Sequence, residues 1–319
     1  MLPHILIVSI EFRFFMPKSH FCITIASMRK ITEGYMPYLD YKTYYRIVDG
    51  GDKTPIILIH GGPGSTHNYM ELLDCIADSG RKVISYDQIG CGNSYLDGHP
   101  ELWNADTWID ELIALRKHLH LDEVYLLGQS WGGMLIIQYL IERKPEGIKG
   151  IILSSTLPSS SLWAHEQHRL ISMMSKEDQD AIAFAENNNI WNKPEYLKAN
   201  DTFMKLHCAD IKDTDPECLT REKKSGSEAY LYGWGPNEYN PTGSLKDFEY
   251  SDRLHEIKVP VQIMSGTNDL CTPLVAKTMF DRIPNAKWEL FDGARHMCFA
   301  EDNKHYCDVL LNFINSIEK

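Results

Sequence analysis

Short apolar runs recur along the chain, separated by amphipathic segments. The runs at 56–59, 83–86, 124–127, 151–153 and 261–264 are too short for helices and are apolar at almost every position, Ser85 and Gln262 excepted. That pattern predicts strands buried on both faces of a parallel sheet. A last, more amphipathic strand is expected at 287–291. Upstream, 36–48 mixes aromatic and β-branched residues around a polar centre and reads as an opening hairpin. Asp49-Gly50-Gly51-Asp52 then makes a turn. Between the runs lie helices. Residues 106–119 carry Trp108, Leu112, Leu115 and Leu119 at helical spacing, and 132–143 is a second apolar helix. Alternation of this kind predicts an α/β architecture with right-handed crossovers.

The rhythm breaks between 158 and 245. No apolar strand occurs there. Polar helices rich in Glu, Lys and Asn are expected at 176–186 and 195–207, followed by the aromatics Tyr230, Tyr232 and Trp234. The expected organisation is a core from 29–157 and 246–319, with 158–245 inserted as a helical cap. The cap aromatics suit either a small substrate pocket or the cap's own core. The first 28 residues stand apart. Their apolar run at 5–10 is broken by Glu11, Arg13 and Lys18 and is far shorter than the ~20 residues that span a bilayer. The opening Met-Leu-Pro-His lacks the basic start of a signal peptide. The segment reads as an upstream extension, with Met28 or Met36 as the natural beginning.

Composition narrows the possible functions. The chain has 319 residues, 43% apolar and 24% charged, which suits one catalytic domain with an insertion better than two equal domains. The formal charge is −12, and no Lys/Arg block offers a footprint for nucleic acid. Nothing beyond the first residues suggests a stable membrane association. The eight cysteines are scattered without a C-x-x-C pair and read as free thiols of a reducing, cytoplasmic setting. There is no H-E-x-x-H and no tight Cys/His cluster, so neither a metal nor another cofactor is expected.

The sharpest local signal is Gly128-Gln129-Ser130-Trp131-Gly132, with Gly133 after it. An apolar strand leads in and an apolar helix leads out. Strand, tight turn and helix are what a nucleophile elbow requires, with Ser130 at the helix N-terminus. A serine nucleophile needs a base and an orienting acid, here in the order Ser, Asp, His. Asp269 follows the strand at 261–264, and His296 follows the strand at 287–291. Asp281 reads as a helix-surface residue, Asp292 as a turn residue and His305 as a solvated position on the final helix. The oxyanion needs two backbone N–H donors. Trp131 offers one. The loop His60-Gly61-Gly62-Pro63-Gly64 offers the other, assigned to Gly62. The glycines at 90–92 do not form a dinucleotide fingerprint.

Taken together, HGGPG at 60–64, YDQIGCGNS at 86–94, GQSWGG at 128–133, GTNDLCTP at 266–273 and GARH at 293–296 resemble the proline iminopeptidase group of α/β-hydrolases. The resemblance runs from about Met28 to the C-terminus. It implies an α/β-hydrolase fold, a mostly parallel sheet flanked by helices with an inserted helical cap. It also implies release of an N-terminal residue, often proline, from small peptides or amino-acid amides. Group members hold the substrate's α-amine with carboxylates near the cap. Gly235-Pro236-Asn237-Glu238 resembles the cap motif, which makes Glu238 one such carboxylate. Members with two acidic anchors carry Glu directly after the acid of the triad. Here that residue is Leu270, which leaves room for a carboxylesterase or amidase acting on small neutral acyl substrates. A non-catalytic binding protein of this fold would need a broken triad, whereas all three positions are filled here.

Overall fold

Along the run Ile56, Ile57, Leu58 and Ile59, alternate side chains enter two separate apolar clusters, one on each face of a sheet. This is how a short continuous run becomes a strand buried on both sides. The computed structural model describes residues 29–319. The expectations for the upstream extension, and Cys22, lie outside the described residues. The strands are β1 (Lys30–Tyr38), β2 (Tyr41–Asp49), β3 (Lys53–Ile59), β4 (Arg81–Tyr86), β5 (Val124–Gln129), β6 (Ile148–Ser154), β7 (Val261–Gly266) and β8 (Lys287–Phe291). They form one sheet in the order β1-β2-β4-β3-β5-β6-β7-β8. Pairing is antiparallel for β1 with β2 and for β2 with β4, and parallel everywhere else.

The helices are α1 (Ala105–His118), α2 (Trp131–Gln138), α3 (Ser160–Ile171), α4 (Lys176–Asn188), α5 (Pro194–His207), α6 (Glu217–Thr220), α7 (Ser227–Gly233), α8 (Pro273–Arg282), α9 (Cys298–Glu301) and α10 (Asn303–Ile317). Helices α1, α2 and α8 contribute to the apolar cluster on one face of the sheet, α10 and the 3₁₀ segment His67–Ser79 to that on the other. Asn104 caps α1 by accepting from Thr107 N–H at 3.1 Å, and Thr272 caps α8. Such caps satisfy N–H groups that have no intrahelical partner.

The hairpin begins earlier than the pattern suggests. Lys30–Glu33 are exposed on the edge strand, so no buried alternation marks them. Helices α3–α7 fall within 158–245. The chain's exit and return lie side by side: Ser160 N–H donates to Phe248 O at 2.8 Å and Tyr250 N–H to Pro158 O at 2.8 Å.

Candidate active site

β3, β4, β5, β6, β7 and β8 are neighbours that run parallel, so the loops at their C-terminal ends share one rim. Open α/β sheets bind ligands at such a rim. Ser130 lies where β5 turns into α2, with φ 55° and ψ −124°, a strained combination for a residue bearing a side chain. The flanking glycines are required by close approach. A Cβ on Gly128 would meet Gly132 O at 2.3 Å, and one on Gly132 would meet Ile59 O at 2.2 Å.

At the end of β7, Asp269 is fully buried and its carboxylate is saturated with donors. Oδ1 accepts from Cys271 N–H at 2.8 Å and from His296 Nδ1 at 2.7 Å. Oδ2 accepts from the Ser155 hydroxyl at 2.6 Å and from Gly266 N–H at 3.1 Å. With Nδ1 donating to the carboxylate, the lone pair of a neutral His296 ring lies on Nε2. Ser130 and His296 line one cavity of about 620 Å³. Among the described residues no hydrogen bond joins the Ser130 hydroxyl to the imidazole. Contacts of this kind commonly tighten only when substrate is bound. His305 is on α10 bonded to Glu289, and Asp281 is on α8 paired with Lys277.

Trp131 opens α2, so its N–H has no intrahelical acceptor. Gly62, in the loop after β3, lines the same cavity. Side chains that sequence reasoning passed over hold the two loops together. Gln88 Nε2 donates to His60 O at 3.0 Å, and its Oε1 accepts from Trp131 Nε1 at 2.8 Å. His60 donates from Nδ1 to Gly61 O at 2.8 Å and accepts Gln88 N–H on Nε2 at 3.0 Å. Burial lowers its imidazole pKa to about 4, so it is neutral at physiological pH. A second link runs from Gly61 N–H to the Tyr69 phenol at 2.6 Å, from that phenol to Gln129 Oε1 at 2.8 Å, and from Gln129 Nε2 to His296 O at 3.3 Å.

Behind this layer lies Glu111, on α1 and wholly buried. Ile89 N–H bonds its two oxygens at 2.9 and 3.1 Å, and the Thr43 hydroxyl is a further partner. Burial raises its carboxyl pKa to about 8, and the negative charge of Asp87 acts in the same direction. The sequence does carry a signal for it, because position 111 shares the apolar face of Trp108 and Leu115.

From the cap, Glu238 lines the cavity, and its Oε1 accepts from the Tyr230 hydroxyl at 2.8 Å. Trp163 of α3 donates to Glu238 O at 2.8 Å and lies edge-on to the His296 ring, centroids 5.9 Å apart. Burial pushes the Glu238 carboxyl up, while attraction to a protonated His296 and the Tyr230 hydrogen bond act in the opposite direction. Glu238 is the one carboxylate among the described residues that line this cavity. The three cap aromatics divide. Tyr230 lines the cavity, Trp234 is buried and donates to Asn237 O, and Tyr232 is half exposed. Leu270 belongs to the apolar core and does not line the cavity, so the position after Asp269 is not the place for a second anchor here.

The described cysteines are free thiols, with Cys75 and Cys307 Sγ atoms 3.1 Å apart. No helix of the described residues is long and apolar enough to cross a membrane, and no metal-binding cluster of His, Cys, Asp and Glu occurs among them.

Comparison with known proteins follows the same outline. The model of the α/β hydrolase fold matches residues 54–303. A proline iminopeptidase from Clostridioides difficile (strain 630) is 61% identical over 290 residues, covering 90% of this chain and 99% of the relative. One from Clostridium botulinum (strain Hall) is 58% identical over 289 residues, again 90% and 99%. Among solved structures, the proline iminopeptidase of Mycobacterium smegmatis superposes with a TM-score of 0.80 at 28% identity, covering 90% of this chain and 98% of that one.

Proposed function

The chain belongs to the proline iminopeptidase family of α/β-hydrolases, and from that premise we propose that it releases N-terminal proline from small peptides and amino-acid amides through an acyl-enzyme on Ser130. His296 Nε2 takes the proton of the Ser130 hydroxyl as Oγ attacks the carbonyl carbon. Asp269 holds the imidazole and stabilises its charged form. The N–H groups of Gly62 and Trp131 receive the oxyanion. Collapse of the tetrahedral species returns the proton from His296 to the leaving amine. Water then hydrolyses the prolyl ester by the same steps.

The observation that carries the reading is Glu238, a carboxylate held by Tyr230 in the cavity shared by Ser130 and His296. A secondary ammonium drawn from water into the cavity needs a paired anion, whereas an esterase for neutral acyl groups has no use for one. Free thiols at all the described cysteines support a reducing, cytoplasmic setting.

The test is Glu238→Gln. A charge-assisted contact is worth about 1.5–3 kcal/mol, so kcat/KM for prolyl amides should fall about tenfold to a hundredfold. Short neutral esters should be cleaved almost as before, and Ser130→Ala should abolish both activities. Equal losses on amides and neutral esters would make Glu238 structural and remove the support for amine recognition.

A further inference from the structure

The described residues lining the cavity include only two side chains with full charges besides His296, and the charges are opposite: Glu238 and Lys223. Glu238 has its partner in Tyr230. Lys223 makes no ion pair or side-chain hydrogen bond among the described residues. Of the acids that line a second cavity with Lys223, Glu222 is exposed and unpaired among the described residues, whereas Glu71 and Asp87 are engaged elsewhere. Glu71 takes both Arg221 nitrogens at 3.0 and 3.1 Å, and Asp87 takes His67 and the backbone of Asn93. The next lysine, Lys224, lies over the Tyr95 ring at 3.4 Å.

The backbone around Lys223 is fixed to the site. Gly226 N–H donates to Gly64 O at 2.7 Å, in the loop that carries Gly62, and Gly92 N–H donates to Lys224 O at 2.8 Å. The ammonium is therefore borne on a segment fastened to the loop that carries Gly62, whereas Glu238 comes from the turn after α7. Lys223 is exposed to solvent as well as lining the cavity, so a counter-ion there would be partly screened by water.

A peptide held by its α-amine at Glu238 has its scissile carbonyl at Ser130 and extends beyond it towards the leaving group. We propose that Lys223 receives the C-terminal carboxylate of the leaving portion, so that the enzyme selects short peptides with both termini free. The proposal rests on the aminopeptidase reading above. It adds a length limit to it: one charge recognises each end, and the chain between them spans at most ~3.5 Å per residue.

The test compares Pro-Leu and Pro-Leu-Gly with their C-terminal amides, alongside proline anilide. The wild type should cleave the free acid of at least one length about twofold to fivefold more efficiently than its amide, as expected for an ion pair to an exposed lysine. The preference should shrink as salt is raised. Lys223→Met should abolish it through KM, Lys223→Arg should keep most of it, and proline anilide should be cleaved equally by all three proteins. Equal rates for acid and amide in the wild type, or a preference that survives Lys223→Met, would overturn the proposal while leaving the aminopeptidase reading intact. Failure of the wild type to cleave any of these substrates would instead remove that reading, and the proposal with it.

Discussion

Glu111 makes the stability of the fold depend on pH in a direction opposite to that of most carboxylates. Its carboxyl lies against the loop after β4, with Ile89 N–H and Thr43 as partners and no counter-ion among the described residues. Burial raises the folded pKa from 4.5 to about 8. Between those values the folded protein keeps the proton and the unfolded chain has lost it. The unfolded state then binds fewer protons, so this group's contribution falls by about 1.4 kcal/mol for each pH unit gained. It is fully present below pH 4.5 and is lost by about pH 8. Over the whole window the change is about 5 kcal/mol, an upper bound for a single buried carboxyl. Glu111→Gln keeps an oxygen for Ile89 N–H and stays neutral throughout. Urea denaturation of both proteins at pH 5, 6, 7 and 8 isolates the effect, because other titrating groups cancel in the difference. The stability of the variant relative to wild type should rise by about 1.4 kcal/mol per pH unit. A difference that stays constant across this range would refute a protonated Glu111.

Two further outcomes follow from the loops around Ser130. Gln88→Leu leaves His60 O and Trp131 Nε1 without partners; it should cost about 2–4 kcal/mol by chemical denaturation and lower kcat more than it changes KM, whereas an unchanged kcat would mean that the two loops hold their positions without it. Gly132→Ala forces a methyl against Ile59 O; labelling by a fluorophosphonate probe should be lost even in whatever fraction remains folded, and wild-type labelling would show that the elbow tolerates a side chain.

Much of the site was legible because its parts are local. The elbow needs only a strand, two glycines around a serine and a helix, all within 124–141. Asp269 stands out because it follows a buried strand, and His296 because it comes soon after the last strand. What escaped reading depends on which strands are neighbours. Ser155 reaches Asp269 only because β6 lies beside β7, and no spacing along the chain encodes that. Gln88, Tyr69 and Gln129 look like ordinary polar residues until their loops converge. The exposed start of β1 lacks a buried face to reveal it. Leu270 misled for a different reason: a position beside a site residue in sequence need not face the site, and this one turns into the core.

The path from Gly61 through Tyr69 and Gln129 to the carbonyl of His296 is a gauge. One end touches the loop that would receive negative charge, the other the loop that would carry the base, and its length is set by a rigid phenol and a short amide. The two loops are thus spaced by a common part instead of being positioned separately against the sheet. A shift in either is transmitted to the other, so errors in their placement are correlated and their separation is preserved. Adapting this pocket to a bulkier acyl group by moving only the oxyanion loop would drag the histidine with it. Changes that resize the cavity are better absorbed by the cap, which contributes Glu238 and Tyr230 and has no part in the gauge.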